Sequence, residues 1–262
     1  MRYLLLLVMM CLSVEATPPN LLRELGARRR AMHPWTPADL GDDLALWLDA
    51  ADSSTITLDG ANVTQWNDKS VNNRHATSPG ATKPTYELTQ LNSKAIVRFG
   101  GLSYMEHSLF NLNAAFTYYV LWKRTETASN SIILSSSGGN YAYLQYGDRW
   151  YIDNRFITLA QPVGVWTTKC GMLNPTNGLR WTDGTQNEST LGYNAGNAYN
   201  FRYLGLTNGG LRGDVAEIII SAGNHSEETR QKVEGYLAHK WGLTANLPSD
   251  HPYKNKAPRK GE

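Results

Sequence analysis

The run Ala115-Phe-Thr-Tyr-Tyr-Val-Leu-Trp122 constrains the fold more than any other stretch of the chain. Alternation sets Phe116, Tyr118, Val120 and Trp122 on one face and Tyr119 and Leu121 on the other. An extended segment that is apolar on both faces has to be covered on both, so the pattern predicts a central strand. Around it lie other short alternating runs, at 44–49, 62–66, 95–99, 104–109, 131–134, 141–146, 150–153, 156–159, 165–172, 178–182, 201–206 and 215–221. Gly, Asn, Asp and Ser separate them, and 23 glycines supply the turns. The series predicts an all-β, two-sheet antiparallel sandwich. No repeat of fixed period is present, which argues against a propeller or a solenoid.

In the first run, Leu44, Leu46 and Leu48 fall on one side and Ala45, Trp47 and Asp49 on the other. The last regular element is of another kind. Ser226 is a natural helix N-cap, with Glu227 and Glu228 at the positive end of the dipole. Val233, Leu237 and Trp241 recur every four residues, Gly242 supplies a stop, and Pro248 lies beyond it. One C-terminal α-helix over 226–241, packed on the sandwich, is the expectation. Gly235 inside it costs about 1 kcal/mol relative to Ala, which close approach to the sheet would explain. Trp47, Trp66 and Trp241 are assigned to the core.

The ends differ from the middle. Met1-Arg2-Tyr3, the apolar run 4–12 and the small residues before Thr17 have the form of a secretory leader, cleaved before Thr17 if the protein is exported. The run is too short to span a bilayer. An uncleaved leader would instead serve as an N-terminal anchor. The expected organisation is a leader or anchor at 1–16, an arm at 17–41, one domain at 42–254 and a basic tail at 255–262. Cys11 lies in the leader, so Cys170 has no internal disulfide partner and reads as a small buried apolar residue.

A net charge of +2 gives no case for nucleic acid. The aromatic usage is more telling, with 14 Tyr and 8 Trp against 5 Phe, because rings with a polar handle suit wet binding surfaces. Sugar recognition needs an aromatic face with amides and carboxylates beside it. Tyr141, Tyr143, Gln145, Tyr146, Asp148 and Trp150 meet that requirement by composition; the competing reading makes the aromatics cross-strand pairs of the sheet. Calcium is the ion these oxygens would suit, with Asp49, Asp52, Asp68 and Asn72 as the cluster. The competing reading makes Asp49 and Asp52 strand-end turn formers and Asp68 an Asx-turn residue.

Ala45-Leu-Trp-Leu-Asp-Ala-Ala-Asp52, Val63-Thr-Gln-Trp-Asn-Asp-Lys-Ser70 and Ala95-Ile-Val-Arg-Phe-Gly-Gly101 together resemble the opening of a laminin-G-like, concanavalin-A-like jelly-roll domain. Gly213-Asp-Val-Ala-Glu-Ile-Ile-Ile220 and Gln231-Lys-Val-Glu-Gly-Tyr-Leu-Ala-His-Lys-Trp-Gly-Leu243 resemble its late strand and C-terminal helix, as found in bacteriophage virion proteins and bacterial surface proteins. The resemblance implies a non-catalytic module that binds surface carbohydrate, outside a cell or on a phage particle. Its rival is a structural virion protein (a capsid decoration, head fibre or tail component) contacting other virion proteins through residues 1–41. Where the family carries a Ser-Gly-Asn-Gly-like loop, this chain has Ser70-Val-Asn-Asn-Arg74, so a ligand role does not carry over there.

Catalytic relatives of that fold place paired carboxylates on one face of a strand, as Glu-x-Asp-x-x-Glu. The nearest run here, Asp214-Val-Ala-Glu217, alternates onto opposite faces, with Glu217 solvent-facing or hydrogen-bonded. No nucleophile elbow, phosphate loop or dinucleotide fingerprint is present. The expectation is a protein that is not an enzyme; a divergent glycoside hydrolase is the third reading.

Overall fold

Phe116–Arg124 is the axis of the structure, a computed structural model describing residues 20, 21, 23, 33–112, 115–126, 134–136, 149–152, 155–158, 162–173, 177–191, 199–205 and 210–262. The strands in chain order are β1 (Leu44–Asp49), β2 (Ile56–Asp59), β3 (Asn62–Trp66), β4 (Ala76–Thr77), β5 (Thr85–Leu91), β6 (Lys94–Gly100), β7 (Met105–Leu112) and β8 (Phe116–Arg124). Then follow β9 (Leu134–Ser136), β10 (Arg149–Ile152), β11 (Arg155–Thr158), β12 (Trp166–Leu173), β13 (Asn177–Thr182), β14 (Thr185–Leu191), β15 (Tyr199–Leu204) and β16 (Arg212–Ala222). Helix α1 (Glu227–Trp241) comes last, and short 3-10 helices occupy Pro37–Asp43, Ser53–Thr55 and Thr244–Asn246.

β8 pairs antiparallel with β12 on one side and β16 on the other. The path continues outward through β13 to β14, and across β16 to β6, with β1 also on β16. From β6 it runs through β5, β3, β4, β7 and β15 to β9, while β10 and β11 form a hairpin of their own. The polar edge strand β14 and the short β2 carry too little apolar alternation to be read from sequence.

Two cores flank the axis. In the first, Phe116, Tyr118, Val120 and Trp122 pack with Val97, Phe99, Ile218 and Ile220 against Trp66, Met105, Phe110 and Phe201 of the facing layer. In the second, Tyr119 and Leu121 pack with Trp47, Ile96, Ile219 and Cys170 against Val233, Leu237 and Trp241 of α1. The predicted central strand is therefore covered on both faces, and the fold is an all-β sandwich with a C-terminal helix. Burying each large apolar side chain contributes about 1.5–3 kcal/mol, so these two layers dominate the stability.

The helix ends as its residues dictate. The Ser226 side chain accepts the Thr229 N–H at 3.1 Å, and Gly242 takes the left-handed conformation with φ 72°. Gly235 has a different reason from the one expected. A Cβ there would stand 2.4 Å from Tyr253 Cβ, so the close approach is to the C-terminal segment and not to the sheet.

Strict alternation fails at two bulges. One between Leu44 and Leu46 puts Ala45 with Leu46 and Leu48 in the first core and sends Leu44 to the second. Another, between Val215 and Glu217, places Ala216 and Glu217 consecutively on the helix side. Asp214 lies on that side too, bonded to Arg98 and Lys123, whose strand neighbours Ile96 and Leu121 belong to the second core. Asp214 and Glu217 thus share a face, against the sequence expectation, because the extra residue resets the count.

The larger compact unit spans Trp35–Pro258, so it starts before Asp42 and ends after Lys254. Trp35 and Pro37 are buried, and the Thr36 N–H donates to Asp39 Oδ2 at 3.0 Å, capping Pro37–Asp43. Proline is tolerated there because the first helical turn has no partner for its missing N–H. In the second unit, Pro34 forms a bridge with Arg259, and the Lys260 N–H donates to the His33 carbonyl at 3.0 Å. The leader lies outside the described residues.

Candidate functional site

The bulge at Ala216 delivers the Glu217 carboxylate into the space under α1. Its Oε1 accepts the Trp47 indole N–H at 2.8 Å and the Tyr236 hydroxyl at 2.9 Å. Its Oε2 accepts the Trp241 indole N–H at 2.7 Å and Lys240 Nζ at 2.6 Å. Burial pushes the carboxyl up and the neighbouring ammonium opposes that. The same burial, with Glu217 and Asp49 beside it, keeps the Tyr236 phenol protonated. Asp214, fully buried, is closed by Arg98 at 2.6 and 3.0 Å and by Lys123 at 2.8 Å. Each of the two carboxylates is neutralised in place, which is structural chemistry.

The calcium set has similar partners. Asp49 meets Lys240 at 2.6 Å and Lys69 at 3.0 Å, and Lys69 reaches Asp52 at 2.7 Å. Asp52 also caps Ser53–Thr55 by accepting the Ser54 N–H. Asp68 accepts the backbone N–H groups of Trp47, Ser70 and Arg74, each at 2.9 Å, and the Ser70 hydroxyl at 2.6 Å. Asn72 donates its amide to the Leu44 carbonyl at 2.9 Å. Lysine ammonium groups and backbone donors occupy these oxygens. Among the described residues no cluster of three or more His, Cys, Asp or Glu is arranged to hold a metal. In the loop that departs from the family pattern, Asn73 takes φ 53°, a conformation that asparagine tolerates better than most residues.

Of the sugar candidates, Tyr141, Tyr143, Gln145, Tyr146 and Asp148 lie outside the described residues. The Trp150 backbone is in β10, opposite Ile157 of β11.

A different place has the chemistry that sugars require. A groove of about 390 Å³ lies between Pro37–Asp43 and the start of α1, lined by Trp35, Asp39, Leu40, Asp43, Asn224, His225, Ser226, Thr229 and Lys232. Trp35 is anchored edge-on against Tyr236, with ring centroids 6.0 Å apart. The Asp43 carboxylate and the Asn224 amide are exposed and make no side-chain hydrogen bond among the described residues, though Asp43 acts on His225 through space. Lys232 is already tied to Glu228 Oε1 at 2.6 Å.

His225 is held from beneath. Its backbone N–H donates to Thr117 Oγ1 at 3.1 Å, and its Nδ1 lies 2.9 Å from the Tyr119 hydroxyl. Burial keeps that phenol protonated, and it is shared between His225 Nδ1 and the Cys170 thiol. Burial also pushes the imidazole down to about 4, so the ring is neutral near pH 7. Nε2 is buried and has no partner among the described residues. Sequence reading missed this site because Trp35 sits between two prolines in an apparent arm, and His225 stands alone.

Fold and groove together define a jelly-roll-like antiparallel β-sandwich with a helix packed over one sheet and a polar groove at the helix start. No family model and no curated protein matches the chain. Solved structures do. Domain 4 of an extracellular GH43 arabinanase from Geobacillus stearothermophilus, in complex with arabinotriose, matches with a TM-score of 0.53 at 12% identity, over 71% of this chain and 96% of that one. The binding domain of botulinum neurotoxin serotype D gives 0.54 at 13% identity, over 75% and 51%. A GH54 α-L-arabinofuranosidase gives 0.51 at 14% identity, over 66% of this chain and 50% of that one, so the chain spans about half of that enzyme's length. At these identities the likeness establishes the fold alone. Among the described residues no helix is long and apolar enough to cross a membrane.

Proposed function

We propose that the protein is a non-catalytic carbohydrate-recognition module. The observation that carries this reading is the groove beside Trp35, where the exposed Asp43 carboxylate and Asn224 amide make no side-chain hydrogen bond among the described residues. Adjacent hydroxyls of a sugar ring both donate and accept, which is what such a pair satisfies. The arabinanase domain, solved with arabinotriose, supports the ligand class by analogy of fold. The absence of catalysis is part of the proposal: Asp214 and Glu217, the carboxylates nearest to a glycosidase pattern, are sealed against cations. Display outside the cell belongs to the same reading and rests on the leader-like residues 1–16.

A glycan array probed with the full chain tests it, paired with a reducing-sugar assay on any glycan retained. Binding that Asp43→Ala and Asn224→Ala abolish, with no reducing ends released, is expected. Release of reducing ends would make the protein a glycosidase. A silent array together with incorporation into virus particles would put the virion-scaffold role in its place.

A further inference from the structure

We infer that the groove selects its sugar by charge, taking an amino sugar with a protonated nitrogen in preference to a neutral one and excluding uronic acids. The inference rests on the carbohydrate reading of the groove and adds the chemical class. Of the charged groups that line the groove among the described residues, Asp39 and Asp43 are carboxylates and Lys232 is the one cation. The Lys232 ammonium is drawn to Glu228, 2.6 Å away, so its charge is offset before any ligand arrives. His225 contributes none, being neutral and fixed by Tyr119.

A helix start ordinarily attracts anions, which would favour an acidic sugar. Here that pull is met within the helix, because the Ser226 side chain takes the Thr229 N–H and Glu227 and Glu228 fill the first turn. Asp39 is engaged by the Thr36 N–H, which leaves Asp43 as the lining carboxylate without a hydrogen bond among the described residues. An ammonium entering the groove therefore meets the exposed Asp43 carboxylate. A carboxylate ligand would meet that charge with only the Lys232 ammonium, already paired with Glu228, to set against it.

The test is isothermal titration and NMR of the full chain with three probes: a glucosamine trimer, its N-acetylated counterpart and a galacturonate trimer. The glucosamine trimer should shift the Trp35 indole and His225 imidazole signals and bind roughly five- to tenfold more tightly than the acetylated trimer. Added salt should shrink that preference. The galacturonate trimer should not bind. Asp43→Asn should remove the preference, and Lys232→Gln, which deletes the one cation, should enlarge it. Equal or tighter binding of the acetylated or acidic trimer at Trp35 and His225 overturns the charge selection and leaves carbohydrate recognition standing. No shift at those two residues with any probe also overturns it, and carbohydrate recognition itself falls only if the glycan array is silent as well.

Discussion

Lys240 sets its ammonium 2.6 Å from Glu217 Oε2, tying the last turn of the helix to the central sheet. The same nitrogen lies 2.6 Å from Asp49 Oδ1, so one cation on α1 neutralises carboxylates from β16 and β1. Removing one partner of a buried ion pair leaves the other charge uncompensated. Lys240→Met should therefore cost about 3–5 kcal/mol, read as a lowered urea midpoint. Glu217→Gln keeps the shape but leaves an acceptor for only one of the two indoles, so it should destabilise as well.

Gly235→Ala improves helix propensity by about 1 kcal/mol, yet the variant should be less stable. The added Cβ would stand 2.4 Å from Tyr253 Cβ and 2.9 Å from Cγ, and Tyr253 is buried. Overpacking of this kind costs about 1–3 kcal/mol. Tyr253→Gly in the same chain, which removes the clashing Cβ together with the ring, should make the glycine replaceable, which a double-mutant cycle by thermal denaturation would read.

Stability should fall as pH drops from about 6.5 to about 4. Burial pushes His107 and His225 each down to about 4, whereas in the unfolded chain a histidine titrates near 6.5. Between those values the unfolded state binds more protons, so acid favours unfolding. For His107, 4% exposed, the loss is on the order of 3 kcal/mol across the window. Asp183 works the other way: burial raises it to about 6, so the folded state binds the extra proton between about 3.8 and 6. Glu217, also raised by burial, acts with Asp183, while Asp52, held down by Lys69, acts with the two imidazoles, so the histidine contribution is read by difference. His107→Gln should flatten the profile in urea titrations at neutral and acid pH.

Asp68→Ala should destabilise by on the order of 3 kcal/mol, because three backbone N–H groups and a hydroxyl lose their acceptor together. EGTA should leave the melting temperature unchanged, since Lys69 and Lys240 already neutralise Asp49. A drop on chelation would reinstate calcium.

Elements that a single periodicity defines were readable in advance. Phe116 to Trp122 alternate without interruption, and Val233, Leu237 and Trp241 keep a four-residue spacing between a Ser cap and a Gly stop; both became core. The bulges at Ala45 and Ala216 were not readable, because an extra residue in one strand is set by hydrogen bonds to a partner far away in the chain. That is why Glu217 changed faces and became the acceptor for two tryptophans. The groove was hidden for the same reason: Trp35, Asp43 and His225 meet only once β8, β16 and α1 are assembled. The tyrosine-rich candidates at 141–150 lie almost wholly outside the described residues.

The first and last residues of the compact unit are joined, since the Trp35 N–H donates to the Pro258 carbonyl at 3.0 Å. A sandwich whose ends coincide in this way hangs from a single point. It can be spliced into a surface loop of a host protein, or rejoined there and reopened elsewhere, without rethreading any strand. Because Trp35 also walls the groove, the graft point and the ligand would lie at the same end of the module. A host would therefore hold whatever fills the groove close to the junction rather than at arm's length.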